Sequence, residues 1–476
     1  MKKYINRFNL ILIFLIFCNG AAYGQLRLPD IFSNNMVLQQ KTTVTFQGWA
    51  NPAEQIKVVG SWNSNDTLST KTLANAQWSV PLKTPKAGGP YKIAVIGNDT
   101  TLIIRNVLIG QDWLCSGQSN MELSANWYPE HFKNTVKQAH FSRIRLFKVA
   151  KETAPYPQYE LHGSWKVTTP QSMRSFSAVG YFFGRALHRK LHQPTGLIES
   201  AWGGTPVETW TPKSIFNRSE KLASSAAKLK PTPWWPIRPS VTYNAMIHPL
   251  VNFPVKGVIW YQGEENAMYN PMTYEGTFSK MIQAWRELWG KSLPFYFVQI
   301  APYTYKKPLG AALVREAQFK AYQQVPKTGM VVITDITGDT TNIHPKDKQD
   351  VGKRLARWAL AKTYKYKNIR YSGPLYRSIE VKDKKAVIHF DFTGKGLVKH
   401  GSHLRDFLIA GKDHHFVPAQ AKIKGNTVVV SSPQVSHPTA VRMGFSNSAI
   451  PNLFNKAGLP ASPFRTDNWP IKPKKQ

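Results

Sequence analysis

Four short segments carry side chains suited to nucleophilic acyl chemistry. In the first, Ser116-Gly-Gln-Ser119-Asn-Met-Glu122, Ser119 stands where an apolar run ends and a helix is about to begin. A serine Oγ placed there can be presented with backbone N–H groups and a helix dipole facing the oxyanion it generates. Alone, a serine at such a place is most often an N-cap. The second segment, Trp202-Gly203-Gly204-Thr205-Pro206, has two glycines that let backbone approach a ligand, and one N–H is available to an oxyanion. The third, Trp260-Tyr-Gln262-Gly-Glu264-Glu-Asn266-Ala267, offers Asn266 as a side-chain N–H donor and Glu264 as a buried acid that orients other groups. In the fourth, Asp335-Ile-Thr-Gly-Asp339-Thr-Thr-Asn342-Ile343-His344-Pro345, the proline fits the first position of a helix and fixes the His344 imidazole on a loop at the sheet edge. Taken singly, each segment has a plainer reading as a turn or a cap. A G-x-S-x-G elbow is absent, so an ordinary α/β-hydrolase is not indicated.

The surrounding elements explain how four distant segments can meet. From 107 onward, short apolar runs (113–115, 197–201, 255–261, 295–300 and 330–334) alternate with amphipathic helices. One helix carries Val179, Phe182, Phe183, Ala186, Leu187 and Leu191. Another carries Phe278, Met281, Ile282, Trp285, Leu288 and Trp289, with Gly290 as its C′ residue. A third is expected to start at Pro345 and to carry Val351, Leu355 and Trp358. Alternating βα units with apolar strands imply a parallel sheet covered on both faces, with its chemistry on loops at the carboxyl ends of the strands. Residues 25–105 read instead as a small antiparallel β-sandwich, and residues 366–476 as a second β-rich region. The α/β region is thus bounded at 106–365. The stretch 212–240, with Pro231-Thr-Pro-Trp-Trp-Pro236, reads as a loop, either a flap on the substrate side or a plain connector. The Pro-rich end from Leu459 to Pro473 is expected to be a strap across the surface.

Composition narrows the function. The chain has 476 residues, 62 Lys+Arg against 27 Asp+Glu, and a formal charge of +35. Residues 1–24 read as a cleaved export signal, with Lys2, Lys3 and Arg7 ahead of an apolar stretch from Leu10 to Cys18 and small residues Ala22 and Gly24 at the cleavage site. Losing those three cations lowers the charge to +32. Export, periplasmic or secreted, argues against a nucleic-acid partner, and no run after residue 24 is long enough to cross a bilayer. The charge then reads as a field that draws in an acidic glycan or as a solvated basic surface. Cys115 has no partner in the mature chain. No metal is expected, because there is no His-Glu-x-x-His pair, Cys-x-x-Cys or Asp-rich calcium loop. His248 and the pair His414-His415 are read as structural or surface residues, and Gly394-Lys-Gly396 lacks the context of a dinucleotide site.

Taken together and in this order, the strings 116–122, 202–205, 260–264 and 343–348 resemble the SGNH (GDSL-like) hydrolases, and within them the bacterial sialate O-acetylesterase family. The resemblance runs over nearly the whole mature chain. It implies a three-layer α/β/α flavodoxin-like catalytic domain between the two β-rich regions. It also implies a serine-dependent carbohydrate O-acetylesterase that needs no cofactor and takes an acetylated sugar or glycan as substrate. Ser119 would be the nucleophile and His344 the general base. The Ser119 N–H, a Gly203 or Gly204 N–H and Asn266 would form the oxyanion hole, with Gln118, Gln262 and Trp202 at the substrate. Sialate and polysaccharide esters, such as acetylxylan, are both open, and a binding protein on a degenerate hydrolase scaffold is the rival from another class. Trp127, Tyr128, Trp202, Trp210, Trp234 and Trp235 are candidates for stacking on sugar rings. Such enzymes commonly carry an aspartate two or three residues before the histidine, where this chain has Asn342 and Thr341. Three arrangements are open: Asp339 reaches the imidazole, Glu264 serves as the acid, or the site is a Ser-His dyad supported by a backbone carbonyl. Asp339 is the favoured expectation.

Overall fold

The computed structural model describes residues 25–471. The expected export signal at 1–24 lies outside the described residues, as does the end of the chain from 472. The N-terminal region contains β1 (Val37–Gln39), β2 (Thr43–Trp49), β3 (Gln55–Gly60), β4 (Leu68–Lys71), β5 (Gln77–Lys83) and β6 (Gly88–Ile96). Alternation decides which side chains meet. Val44 and Phe46 of β2 and Trp78, Val80 and Leu82 of β5 face Ile56, Val58, Ile93 and Val95 of β3 and β6 in one core. The next strand, β7 (Thr101–Gly117), pairs with β6 and β1 over its first part and enters the central sheet with its second. The boundary expected at 105/106 therefore falls inside one continuous strand, and the sandwich and the α/β unit share a core.

The central sheet adds β8 (Phe141–Val149), β9 (Gly163–Thr168), β10 (Thr195–Ala201), β11 (Gly257–Tyr261), β12 (Phe295–Val298) and β13 (Thr328–Val331), in the order β13-β12-β11-β7-β10-β8-β9. All its pairs are parallel except β8 with β9, the antiparallel edge. Period two then sorts each buried strand into two cores. Val258 and Trp260 of β11, with Phe295 and Phe297 of β12, meet the helices Tyr274–Leu288 and Gly310–Gln324. Ile259, Tyr261, Tyr296 and Val298 meet the helices Ala178–Leu191 and Lys348–Trp358 on the other face. This is the expected three-layer α/β/α unit. In chain order the connections from β7 go to one side of it (β8 to β10) and then to the other (β11 to β13). The carboxyl end of β7, flanked by β10 and β11, is thus the switch point of the sheet, where a crevice forms.

Several local expectations are corrected. The helix expected from Pro345 starts at Lys348, with the Asp347 carboxylate accepting from Asp350 N at 2.9 Å as its cap, so Pro345 stays in the loop. The stretch 212–240 contains two short helices, Lys213–Asn217 and Glu220–Ala226. The expected surface strap is packed instead: Leu459, Ala461 and Phe464 are buried, and Phe464 stacks on Tyr376 at 4.9 Å. In the C-terminal region an antiparallel sheet of Leu375–Lys382, Lys385–Asp391, Thr427–Ser431 and Gln420–Lys424 closes a separate small core. The C-terminal region docks on the α/β unit through buried Arg315, which donates to the carbonyls of Ser446 and Asn447. Among the described residues no helix is long and apolar enough to cross a membrane.

Candidate active site

The four segments converge at the end of β7. Gly117, the last residue of that strand, has φ +140, and a Cβ there would lie 2.1 Å from the Tyr261 carbonyl. Only glycine permits this approach of β7 to β11. The chain then turns through Gln118, whose N–H donates to Tyr261 O at 3.0 Å, and Gln118 Oε1 accepts from Gly263 N and Glu265 N at 3.2 and 3.4 Å. From the other side, Trp202 N donates to Gly117 O at 3.1 Å. Both neighbouring loops are thereby pinned to the turn that carries Ser119. The helix after Ser119 is a single turn, Ser119–Glu122, so it offers backbone N–H groups rather than the dipole of a long helix.

Ser119 Oγ and His344 Nε2 lie 3.0 Å apart, on residues separated by more than two hundred positions. The imidazole is fixed by its surroundings: His344 N–H donates to Asn342 Oδ1 at 2.9 Å, Asn342 Nδ2 donates to the Tyr128 hydroxyl at 3.3 Å, and the Trp127 ring meets the imidazole edge-on at 5.2 Å. Burial, helped by the nearby Lys348 ammonium, pushes His344 down to about 4, so the ring is neutral at ordinary pH. For Ser119 to donate to Nε2, the ring must carry its proton on Nδ1, and among the described residues no hydrogen bond engages that nitrogen.

The favoured acid, Asp339, is exposed. Its carboxylate accepts from Thr341 N and Oγ1 at 2.8 and 2.7 Å, contacts that hold it below the usual carboxylate range, and it makes no hydrogen bond to His344. Glu264 is buried at the cavity wall, with Oε1 accepting from Asn120 Nδ2 at 2.6 Å, and burial pushes it up to about 7. It too makes no hydrogen bond to the imidazole. Neither carboxylate completes a triad by direct contact, because the loop from Asp339 to His344 turns its carboxylate to solvent.

The oxyanion set departs from expectation at two places. Asn266 is fully buried and faces away from Ser119: its Nδ2 donates to Glu208 Oε2 at 2.9 Å, and its Oδ1 accepts from Val207 N and Gln262 Nε2. The reason is the buried Glu208 carboxylate, which would otherwise keep Asn270 Nδ2 alone as a side-chain donor. Gln262 belongs to the same network and lies outside the cavity. Gly203 N–H is taken by Glu122 Oε2 at 2.7 Å, and Glu122 also pairs with Lys151 at 2.5 Å. What remains are the N–H groups of Ser119 and Gly204, which no hydrogen bond among the described residues engages. Gly204 sits at φ +78 with the Trp235 ring packed where a Cβ would stand, so this position also requires glycine.

Ser119 and His344 open into a cavity of about 600 Å³. Its walls include Gln118, Trp127, Trp202, Trp234, Trp235, Tyr269, Tyr303 and Tyr305, with Glu122, Glu264, Glu265 and Lys151 as its charged lining. The 231–236 segment therefore reaches the substrate side, and Trp234 is 76% exposed at the rim. Trp210 is removed from the list of stacking residues, since it is fully buried against Trp260 in the core. Tyr128 supports the histidine loop from behind. Two residues of the site escaped the sequence reading. Asn120 and Lys348 are both buried, joined to each other by a hydrogen bond of 2.5 Å. Lys348 had a readable signal: with Val351 and Leu355 it stands at i, i+3 and i+7, on the apolar stripe of its helix. Among the described residues no cluster of metal-ligating side chains occurs.

Comparison with known proteins agrees with this architecture. The family described as carbohydrate esterase, sialic acid-specific acetylesterase, matches residues 110–361. Human sialate O-acetylesterase is 29% identical over 96% of this chain and 95% of its own length, and that of Pongo abelii is 31% identical over 80% of each. The crystal structure of XAC1771, a carbohydrate acetylesterase from Xanthomonas citri, superposes with a TM-score of 0.84 at 39% identity, covering 94% of this chain and all of the other. With this match over half the chain and relatives at 30% identity or more along most of it, the chain belongs to the sialic acid-specific acetylesterase family of carbohydrate esterases and is an esterase.

Proposed function

We propose that the protein hydrolyses acetyl esters on sugar hydroxyls through an acyl-enzyme on Ser119. The observation that carries this reading is the 3.0 Å contact of Ser119 Oγ with His344 Nε2 inside a cavity walled by aromatic rings. His344 Nε2 takes the hydroxyl proton as Oγ attacks the acetyl carbonyl carbon. The N–H groups of Ser119 and Gly204 receive the oxyanion. The imidazolium then gives its proton to the sugar oxygen as the ester C–O bond breaks. Water, deprotonated by the same nitrogen, attacks the acetyl-serine, acetate leaves, and Oγ regains its proton. With Asp339 in solvent and Glu264 on Asn120, the pair works as a Ser-His dyad. An aligned serine and histidine also speak against a binding protein on a degenerate scaffold.

The family favours sialate esters, but one feature of the cavity favours a neutral O-acetylated glycan. Among the described residues its charged lining is Glu122, Glu264, Glu265 and Lys151, which is already paired with Glu122, and none of these residues is an arginine that could receive a sialate carboxylate. Acetate release by wild type and Ser119→Ala from O-acetylated sialic acid and from acetylated xylan tests both levels. The acyl-enzyme reading requires release from at least one substrate that disappears in the variant. A higher kcat/KM on xylan supports the neutral glycan, and a higher value on sialate overturns it. Residues 1–24 lead us to infer export, for which recovery of a protein beginning near Gln25 from the periplasm or medium is the test.

A further inference from the structure

The side chain of Asn120, immediately after Ser119, is committed on every side. Its Oδ1 accepts from Lys348 Nζ at 2.5 Å, and its Nδ2 donates to Glu264 Oε1 at 2.6 Å and to the carbonyl of Ile343 at 3.0 Å. Ile343 is the residue before His344, so one amide bridges the neighbour of the serine to the neighbour of the histidine. The amide has a single workable orientation. Turning it over would aim its oxygen at a carboxylate and a carbonyl and its N–H groups at an ammonium. All three side chains are buried, and the Lys348 ammonium also lies 5.3 Å from the centre of the Tyr261 ring.

We propose that Lys348, Asn120 and Glu264 form a buried positioning unit that ties the Ser119 turn to the His344 loop and sets a positive charge beside the imidazole. The unit rests on the reading of Ser119 and His344 as nucleophile and base. Lys348 and Glu264 polarise the amide from opposite ends, ammonium on its oxygen and carboxylate on its N–H, so the tie is charge-assisted at both. Burial pushes Glu264 up and Lys348 down, each to about 7, while the attraction between them opposes both shifts. The ammonium also adds to burial in keeping His344 unprotonated. Other titratable or charged groups around the site include Asp347, which adjoins Lys348 and with Glu264 favours its charged form, Glu265 from the same loop as Glu264, the Glu122–Lys151 pair, Tyr303 and Tyr305 on the cavity wall, and Tyr128 against the histidine loop.

The test is a kcat and KM comparison on an aryl acetate with full pH profiles. Asn120→Ala should lower kcat about 10²-fold, the scale of an ångström-level misplacement, with KM within about threefold. Lys348→Met, which keeps length and removes charge, should move the acid limb of kcat/KM to higher pH by about one unit. A merely structural lysine would lower Tm and leave the limb in place, and that result overturns the proposal. So does an Asn120→Ala variant with unchanged kcat. Should Lys348→Met fail to fold, Asn120→Ala decides alone: the expected loss of kcat at near-constant KM supports the unit, and an unchanged kcat overturns it. No acetate release from any acetylated sugar by wild type would instead sink the function reading, a different outcome from a limb that stays put.

Discussion

Glu264 and Asn266 stand two residues apart in the short helix Glu264–Met268 that follows β11, and they enter two different buried networks. Glu264 turns to the cavity wall, where Asn120 links it to Lys348 and to the loop that carries His344. Asn266 turns the other way, into a network with Glu208, Gln262 and the backbone of Val207 that holds the loop after β10 against the loop after β11. Both networks contain a buried carboxylate raised by desolvation and opposed by asparagine donors. They differ in the cation. The first is completed by Lys348, whereas Glu208 is met by the amides Asn266 and Asn270 and the hydrogen bonds to it are the whole of its support. The comparison teaches that a polar residue after a strand can serve the reaction or the scaffold, and that the direction it faces, set by helical phase, decides which.

Substitutions along these two networks should separate chemistry from scaffold. The largest effect belongs to the pair itself: His344→Ala should reduce kcat by about 10⁴-fold or more on any acetyl ester, leaving the fold intact by circular dichroism. Glu264→Gln should lower kcat by about tenfold with little change in KM, because the amide of Asn120 loses the charge that orients it. Asn266→Ala should act on stability instead. It leaves Glu208 short of a donor and should cost about 2 kcal/mol in denaturant unfolding, with kcat within about threefold of wild type. A drop of about 10²–10³ in kcat would restore Asn266 as an oxyanion donor and collapse the distinction between the networks. Asp339→Asn, at an exposed carboxylate bound only to Thr341, should leave kcat within about twofold.

The acidity of the site sharpens the same contrast. The folded value of His344 is lowered to about 4, so the base is already unprotonated at neutral pH. On the acid side, protonation of Glu264 near 7 should cost no more than the roughly tenfold of Glu264→Gln, and the base itself should be lost only as pH drops through the folded value near 4. An acid limb near 6.5 would mean that neither burial nor Lys348 acts on the imidazole.

Much of this was legible in the residues. The apolar runs ending at Cys115, Ala201 and Tyr261 announced a parallel sheet, and the loops after them carried Ser119, the two glycines and Glu264 in the order the sheet requires. The edge strands β8 and β9 were not read. Phe141–Val149 contains Arg143, Arg145 and Lys148, which break the apolar run, yet Arg145 is buried with its guanidinium on the carbonyls of Asn35 and Asn106. A backbone that satisfies a buried cation leaves no mark in composition. The same reasoning covers Lys348, which looks like a surface lysine until the buried stripe of its helix is followed. The third member of the triad could not be settled from spacing, because the turn through Thr341 and Asn342 sends Asp339 outward, and only the loop's hydrogen bonds reveal it.

The central claim is that acetyl passes through Ser119. Acid quench during turnover of an acetylated sugar, followed by peptide mass spectrometry, tests it directly. The account predicts an acetyl adduct on the peptide carrying Ser119, absent in Ser119→Ala, whose acetate release falls to background. Acetate release by Ser119→Ala at the wild-type rate would contradict it.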